Sequence, residues 1–564
     1  MTRWITLLAM YLPVTIALSS SHASATDHER IKLVSQNQNR FAIDLYKTIN
    51  TEEVNIIFSP YSIYTALALT YAGARAETAE QIAAILHLSP ENESFHSDLA
   101  EIQRQLNAIE QSKEIQLSIA NSMWLQERYH FLKEYVELAE NSYQTEMTSV
   151  DYGKNTETIR QEINSWVERN TNEKIKVFLS KAPDPITRFM LVNAIYFKGD
   201  WVTQFDRSQT TEMPFYLHGN ETIEVPMMGE VSKFNYGEDA IVQVLWMPYA
   251  SERISMVVLL PRALDGLHKV EEMLAVDILE EWNKRSRKRL VSVCLPRFEM
   301  TGELDLKKVL RVMGITDAFD INKANFAGVD GDPHWLYIGS ADHKAFINVN
   351  EEGTEAAAAT GVGFCFPSGT EVLTDLGPQP IETIEGGEEV YAFDMATGEW
   401  VVTVVTERLS HQYSGEMITI RSDNSSIQAT GNHPFYVLRG DRLAARPLPQ
   451  DIPDEERGTT GEGRWVEARD LKEGDTLKVK NGVNLIITGL VSRNIETRVY
   501  NLNVEAYHNY AVDQKGILVH NKATPPPIEF RADHPFLFLL RDNLTGTILF
   551  MGRVSNPSIN EKYR

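Results

Sequence analysis

The sequence predicts an α+β domain built on a large mixed sheet and interrupted, late in the chain, by an all-β domain. Three observations carry this. Helical periodicities and strand-like runs alternate irregularly up to Asn350. Short strands separated by turn signals fill Cys365 to Asn521. The mixed pattern then resumes at Lys522 and ends in a strongly apolar stretch. At 564 residues two or three domains are expected, and 43% hydrophobic with 23% charged residues is a globular composition. A net charge of −24 argues against generic nucleic-acid binding.

From the start, Arg3, the apolar run Trp4 to Leu18 and Ala23-Ser24-Ala25 read as a signal peptide over residues 1–25. The run is short for a membrane span, so an exported chain, secreted or periplasmic and without a stable anchor, is expected. Asp27 to Asn50 has helical spacing. Ile56 to Phe58 reads as a short buried strand, and Ser59-Pro60 starts an Ala/Leu-rich helix. A further helix begins at Ala74 to Thr78. Leu117 to Leu125 reads as a strand and 128–182 as mainly helical. Met190 to Phe205 is an apolar strand ending at Lys198-Gly199-Asp200. Ile241 to Leu260 is hairpin-like, Leu304 to Phe319 helical, and Lys344 to Asn350 a strand.

That strand leads into Glu351-Glu352-Gly353-Thr354-Glu355, the small residues Ala356, Ala357, Ala358 and Ala359, and a Gly-rich exit to Cys365. Of the two cysteines, Cys294 in VSVCLPRF is expected to be a buried small hydrophobe, and Cys365 the reactive thiol in a loop. A disulfide between them is the alternative. Within 365–521 the strands are expected at Val372-Leu373, Glu389 to Phe393, Trp400 to Thr406, Met417 to Ile420, Asn484 to Val491, Tyr500 to Val504 and Tyr510 to Val512. Arg439 to Glu467 is expected to be a long loop. The basic run Lys284 to Arg289 reads as a solvated turn rather than a polyanion site. No metal-ligand cluster, phosphate loop or haem motif is found, so no metal or cofactor is expected.

The segments NIIFSP with Ser62, NAIYFKG with Trp201, LPRF, HKAF, the stretch EEGTEAAAATG and the C-terminal DHPFLFLLRDNLTGTILFMGRVSNP together resemble the serpins, inhibitors of serine proteases. The segment 365–521 resembles a Hint domain, the self-processing fold of inteins and hedgehog-type proteins, and most of all the bacterial intein-like kind. Cys365 in CFPSGTEVLT, TGNHPF (Thr430 to Phe435), ARDL with Gly474-Asp475, VYNL (Val499 to Leu502) and the terminal Val519-His520-Asn521 carry that likeness. The resemblances imply a signal peptide at 1–25, a serpin domain over 26–364 and 522–564, and a Hint domain over 365–521. The serpin likeness implies a monomer. Its hinge would be Glu351, Gly353, Thr354 and Ala356 to Ala359, inserting as a new sheet strand once a serine or cysteine protease cuts the loop.

The Hint likeness implies that Cys365 attacks the carbonyl of Phe364, with Thr430 and His433 orienting and protonating the leaving nitrogen. Asn521 would cyclise and release Lys522, assisted by His520 and His508. Two departures bear on the outcome. Lys522 stands where splicing needs Cys, Ser or Thr, and Asn501 stands where many splicing domains carry an aspartate. Cleavage at both junctions is therefore expected rather than splicing. Lys522 is also the candidate scissile residue and would suit a trypsin-like protease. The rival expectations are a serpin-shell carrier or binding protein with Hint-triggered release, and an inhibitor with an inert insert.

Overall fold

The computed structural model describes residues 13–50, 54–89, 94–110, 115–217, 221–353, 365–423, 425–449, 452, 463–521 and 527–558, with side chains from residue 28 onward except at 110, 120, 411, 412 and 414. The chain divides into two compact units. One is Met1–Ala357 with Pro527–Arg564; the other is Ala358–Pro526.

In the first unit the helix Pro60–Gly73 shows why the sequence folds locally as it does. Ser59 caps it, its hydroxyl accepting from the Ser62 N–H, and Pro60 occupies the first turn, where its missing N–H costs nothing. Tyr61, Ile63, Tyr64, Leu67 and Leu69 are all buried, so the helix is apolar all round and runs through the core. It underlies a sheet that, among the described residues, has five strands in the order Phe298–Asp305, Asp342–Val349, Phe189–Gly199, Ile115–Gln126, Glu146–Val150. Phe189–Gly199 is nearly all buried, as a central strand covered on both faces must be. It pairs antiparallel with Ile115–Gln126 over its whole length, from Phe189↔Leu125 to Gly199↔Ile115. With its other neighbour, the parallel strand Asp342–Val349, it shares only Lys344↔Ala194 and Ala345↔Ile195. The centre of this sheet is thus held by two residue pairs.

Beneath that weak seam a polar cluster ties helix to sheet. The Ser59 N–H donates to His343 Nε2 (3.0 Å). The Ser62 hydroxyl donates to Asn193 Oδ1, and Asn193 Nδ2 to Asn121 Oδ1 (2.5 Å). Burial pushes the His343 imidazole down to about 3. A second, nine-stranded sheet gathers the rest of the unit among the described residues. Its C-terminal strands Phe536–Asp542 and Ile548–Val554 are wholly buried, and the latter pairs with Ile56–Phe58 from the other end of the chain.

Several expectations are corrected. Within 128–182, the helices Lys133–Tyr143 and Thr156–Asn170 are separated by the strand Glu146–Val150. Its Met147 and Val150 pack against apolar neighbours, a pairing too short to show in the pattern. Cys294 is only partly buried, its thiol against the Met213 sulfur at 3.8 Å. Both cysteines are free, so the disulfide alternative fails.

The second unit is a thirteen-stranded sheet system among the described residues. Two expected strands, Trp400 to Thr406 and Met417 to Ile420, belong to one long strand, Glu399–Ser422, which pairs antiparallel with Gly489–Val504. Alternation breaks at the register shift between Val405 and Glu407, which is why the sequence reads as two pieces. The expected loop ends in a strand, Arg464–Glu467, whose Trp465 and Val466 are buried.

Candidate functional site

Cys365 is 3% exposed and sits at the threshold of the short strand Phe366–Pro367, rather than in an open loop. It packs with Tyr413, Met417 and Val499. Its backbone is held from both sides by one residue. The Cys365 N–H donates to Thr430 Oγ1 (3.0 Å), and the Thr430 N–H donates to the Cys365 carbonyl (3.0 Å). Thr430 ends the strand Ser425–Thr430, and the turn that follows closes with the His433 N–H on the Thr430 carbonyl (2.9 Å).

His433 is fully buried, its ring 4.1 Å from that of Phe366. Burial, and secondly the charge of His520, hold its imidazole well below the ordinary value. A neutral His433 therefore lies beside the residue after Cys365, able to pass a proton rather than to carry a standing charge. His520 ends the strand Ile517–His520 with its ring edge-on to Trp465 at 4.9 Å. Asn521 follows, 1% exposed. Its N–H donates to the His508 carbonyl (3.0 Å), while its Oδ1 accepts no hydrogen bond among the described residues. Ring closure onto its own carbonyl requires the side-chain amide to turn against this fixed backbone, and the unbonded Oδ1 does not oppose that turn.

His508 is half-buried and has a left-handed backbone, φ +49°. The next residue pins the turn: Asn509 bonds the Phe393 N–H (2.7 Å) and carbonyl (2.9 Å) through its side chain. Asn501 is buried, its Oδ1 accepting from Tyr510 Oη (2.7 Å) and the Leu502 N–H (2.9 Å). The structure thus brings Cys365, Thr430, His433, His520 and Asn521 into the buried core of one unit, with His508 at its margin. Phe364 and Lys522 lie outside the described residues. Asn509, Trp465 and Tyr510 were missed as supports, because nothing in an isolated Asn, Trp or Tyr signals what it will hold in place.

In the first unit the start of the expected hinge is tightly held. Glu351 is 1% exposed; Arg297 donates to both its oxygens, through Nε at 2.9 Å and through Nη2, and Thr210 Oγ1 donates at 2.5 Å. Burial raises the Glu351 carboxyl, but these bonds outweigh it and hold it below the ordinary value. Glu352 pairs with Arg207. The Trp201 and Phe205 N–H groups donate to the Glu352 and Glu351 carbonyls (3.1 and 3.0 Å). Gly353 has φ +99°, and a Cβ there would lie 2.4 Å from the Trp201 nitrogen, so only glycine fits. Thr354 and Ala356 to Ala359 lie outside the described residues. Of these partners, Arg297 and Trp201 stand in motifs legible in the sequence, but their link to Glu351 was not.

The family comparisons find both kinds of domain, with spans that do not follow the unit boundaries. The model of the serpin (serine protease inhibitor) family matches residues 36–442 and 498–557. That of the pretoxin HINT domain matches 454–522, which takes in His508, His520 and Asn521 but not Cys365, Thr430 or His433. Human serpin B4 is 38% identical over 348 residues, 58% of this chain and 89% of the relative. Horse leukocyte elastase inhibitor is 37% identical over 350 residues, 60% of this chain and 89% of the relative. The crystal structure of uncleaved ovalbumin aligns with a TM-score of 0.58 at 24% identity, covering 93% of this chain and all of that one. The chain therefore belongs to the serpin family and carries within its serpin sequence a Hint-like domain.

Proposed function

We propose that this chain is an exported serpin-type inhibitor of a serine or cysteine protease, whose reactive loop carries an autocatalytic Hint domain that cuts at Phe364-Cys365 and Asn521-Lys522. The observation that carries the reading is the two-sided hold of Thr430 on Cys365, with neutral His433 packed beside it. In the first step Cys365 Sγ bonds to the Phe364 carbonyl carbon, the peptide C–N bond breaks, and the thiol proton passes to the departing nitrogen. Water then hydrolyses the thioester. In the second step Asn521 Nδ2 attacks the Asn521 carbonyl carbon, giving a succinimide and a free Lys522 amine. Lys522 offers no side-chain nucleophile of the kind that accepts an acyl group, which favours cleavage over splicing.

Cutting has a mechanical consequence. The freed arm Thr354 to Phe364 has eleven residues, as many as Phe189–Gly199, the strand it would join at the two-pair seam. Lys522 as the scissile residue favours a trypsin-like target that meets the uncut chain, because both cuts sever Lys522 from the hinge. Mass spectrometry of the purified chain tests the reading: Cys365→Ala should abolish the first cut and Asn521→Ala the second, while an intact mass unchanged with time and added thiol would overturn autoprocessing. An SDS-stable complex of the uncut Cys365→Ala/Asn521→Ala chain with a trypsin-like protease is the expected sign of inhibition; its absence would favour a carrier.

A further inference from the structure

The turn that presents Thr430 and His433 to Cys365 is held at Gly431, and the hold involves a residue outside the expected catalytic set. The Gly431 N–H donates to the Glu416 carbonyl (2.9 Å). The Gly431 carbonyl accepts twice from Arg469, from its main-chain N–H (2.8 Å) and from its side-chain Nε (3.1 Å). The preceding residue adds a third tie, the Ala468 N–H on the His433 carbonyl (2.8 Å). The guanidinium also pairs with Glu467 (3.1 Å), which aims it. Its charge reaches Tyr413, a wall of the Cys365 cluster, where it opposes the upward push of burial on the phenol.

Resting on the cleavage reading above, we propose that Arg469 is a positioning residue for the first cut: its guanidinium pins the Gly431 carbonyl and so holds the Thr430–His433 turn against Cys365. The side chain is 46% exposed, and the main-chain ties survive any substitution but proline, so its removal takes away one charged hydrogen bond rather than core packing. The Asn521 step depends on His508 and His520, held by other strands, and serves as an internal control.

The test follows both cuts in the full chain at neutral pH, with hydroxylamine added. It converts the Phe364 thioester to a hydroxamate and restores the Cys365 thiol, so the first step is read directly by mass. Arg469→Ala and Arg469→Gln should slow the first cut at least about tenfold, the scale of one charged hydrogen bond. Arg469→Lys, which can still donate to the same carbonyl, should recover most of the rate. The Asn521 cut and the urea midpoint of the Hint unit should not change. An unaltered first cut in Arg469→Ala would overturn the inference alone, as would equal slowing of both cuts or a lowered midpoint, which would mark general stability. A wild-type chain that never yields the hydroxamate would overturn the cleavage reading itself, and the inference with it.

Discussion

At the residue scale, single buried groups set the pH behaviour. His343 is lowered to about 3 by burial, so below the ordinary histidine value the unfolded chain binds a proton that the folded chain refuses. Its contribution is complete above about 6.5 and is lost as pH falls, by about 2 kcal/mol at pH 5. Chemical denaturation between pH 4 and 8 should show this slope, and His343→Gln should flatten it. In the Hint unit, Trp465→Ala should cost about 3–5 kcal/mol by opening a cavity and should also loosen His520, whose ring it backs. The expected readouts are a lowered urea midpoint and a slower Asn521 cut. Which residues meet in the core of the second unit was legible, because Cys365, TGNH and His-Asn are unusual combinations. The residues that fix them were not, since a hydrogen bond from Arg469 to Gly431 or from Asn509 to Phe393 leaves no trace in composition or period.

At the scale of elements, the hinge anchor and the sheet seam work against each other. Glu351, Glu352 and Gly353 fasten the start of the arm to the backbone around Trp201, while the strands below meet at only two pairs. Arg297→Ala leaves a buried carboxylate without its ionic partner. The half-exposed position of the arginine tempers the loss, which is expected at about 2–3 kcal/mol. Urea unfolding of the uncut chain measures it, and the same variant should insert its hinge sooner after cutting. Helices and apolar strands were legible because long periods average over noise. The strand Glu146–Val150 and the single span of Glu399–Ser422 were not, because short pairings and a register shift both break alternation.

At the scale of the whole molecule, an interrupted domain with an inserted one was visible in the change of pattern at Cys365 and Lys522. Contact defines the units slightly differently, with boundaries at Ala357 and Pro527. The first unit is completed by strands from both ends of the chain. After both cuts, the piece from Lys522 onward should therefore copurify with the piece ending at Phe364. Three bands on a denaturing gel and a retained C-terminal fragment on a native column are the expected result, and loss of that fragment would contradict the pairing.

That same interleaving sets an order of events during synthesis. The Hint sequence is continuous and leaves the ribosome whole, whereas its host still awaits Phe536–Asp542 and Ile548–Val554. At about 5–20 residues per second the 33 residues from Lys522 to Val554 take about 2–7 s, a head start for the inner domain over the outer one. A cut at Asn521 within that interval would strand the final strands on the ribosome, detached from the sheet they complete. Under the proposed cleavage, the cut must therefore run more slowly than translation, so the first clock acting on it is the elongating ribosome.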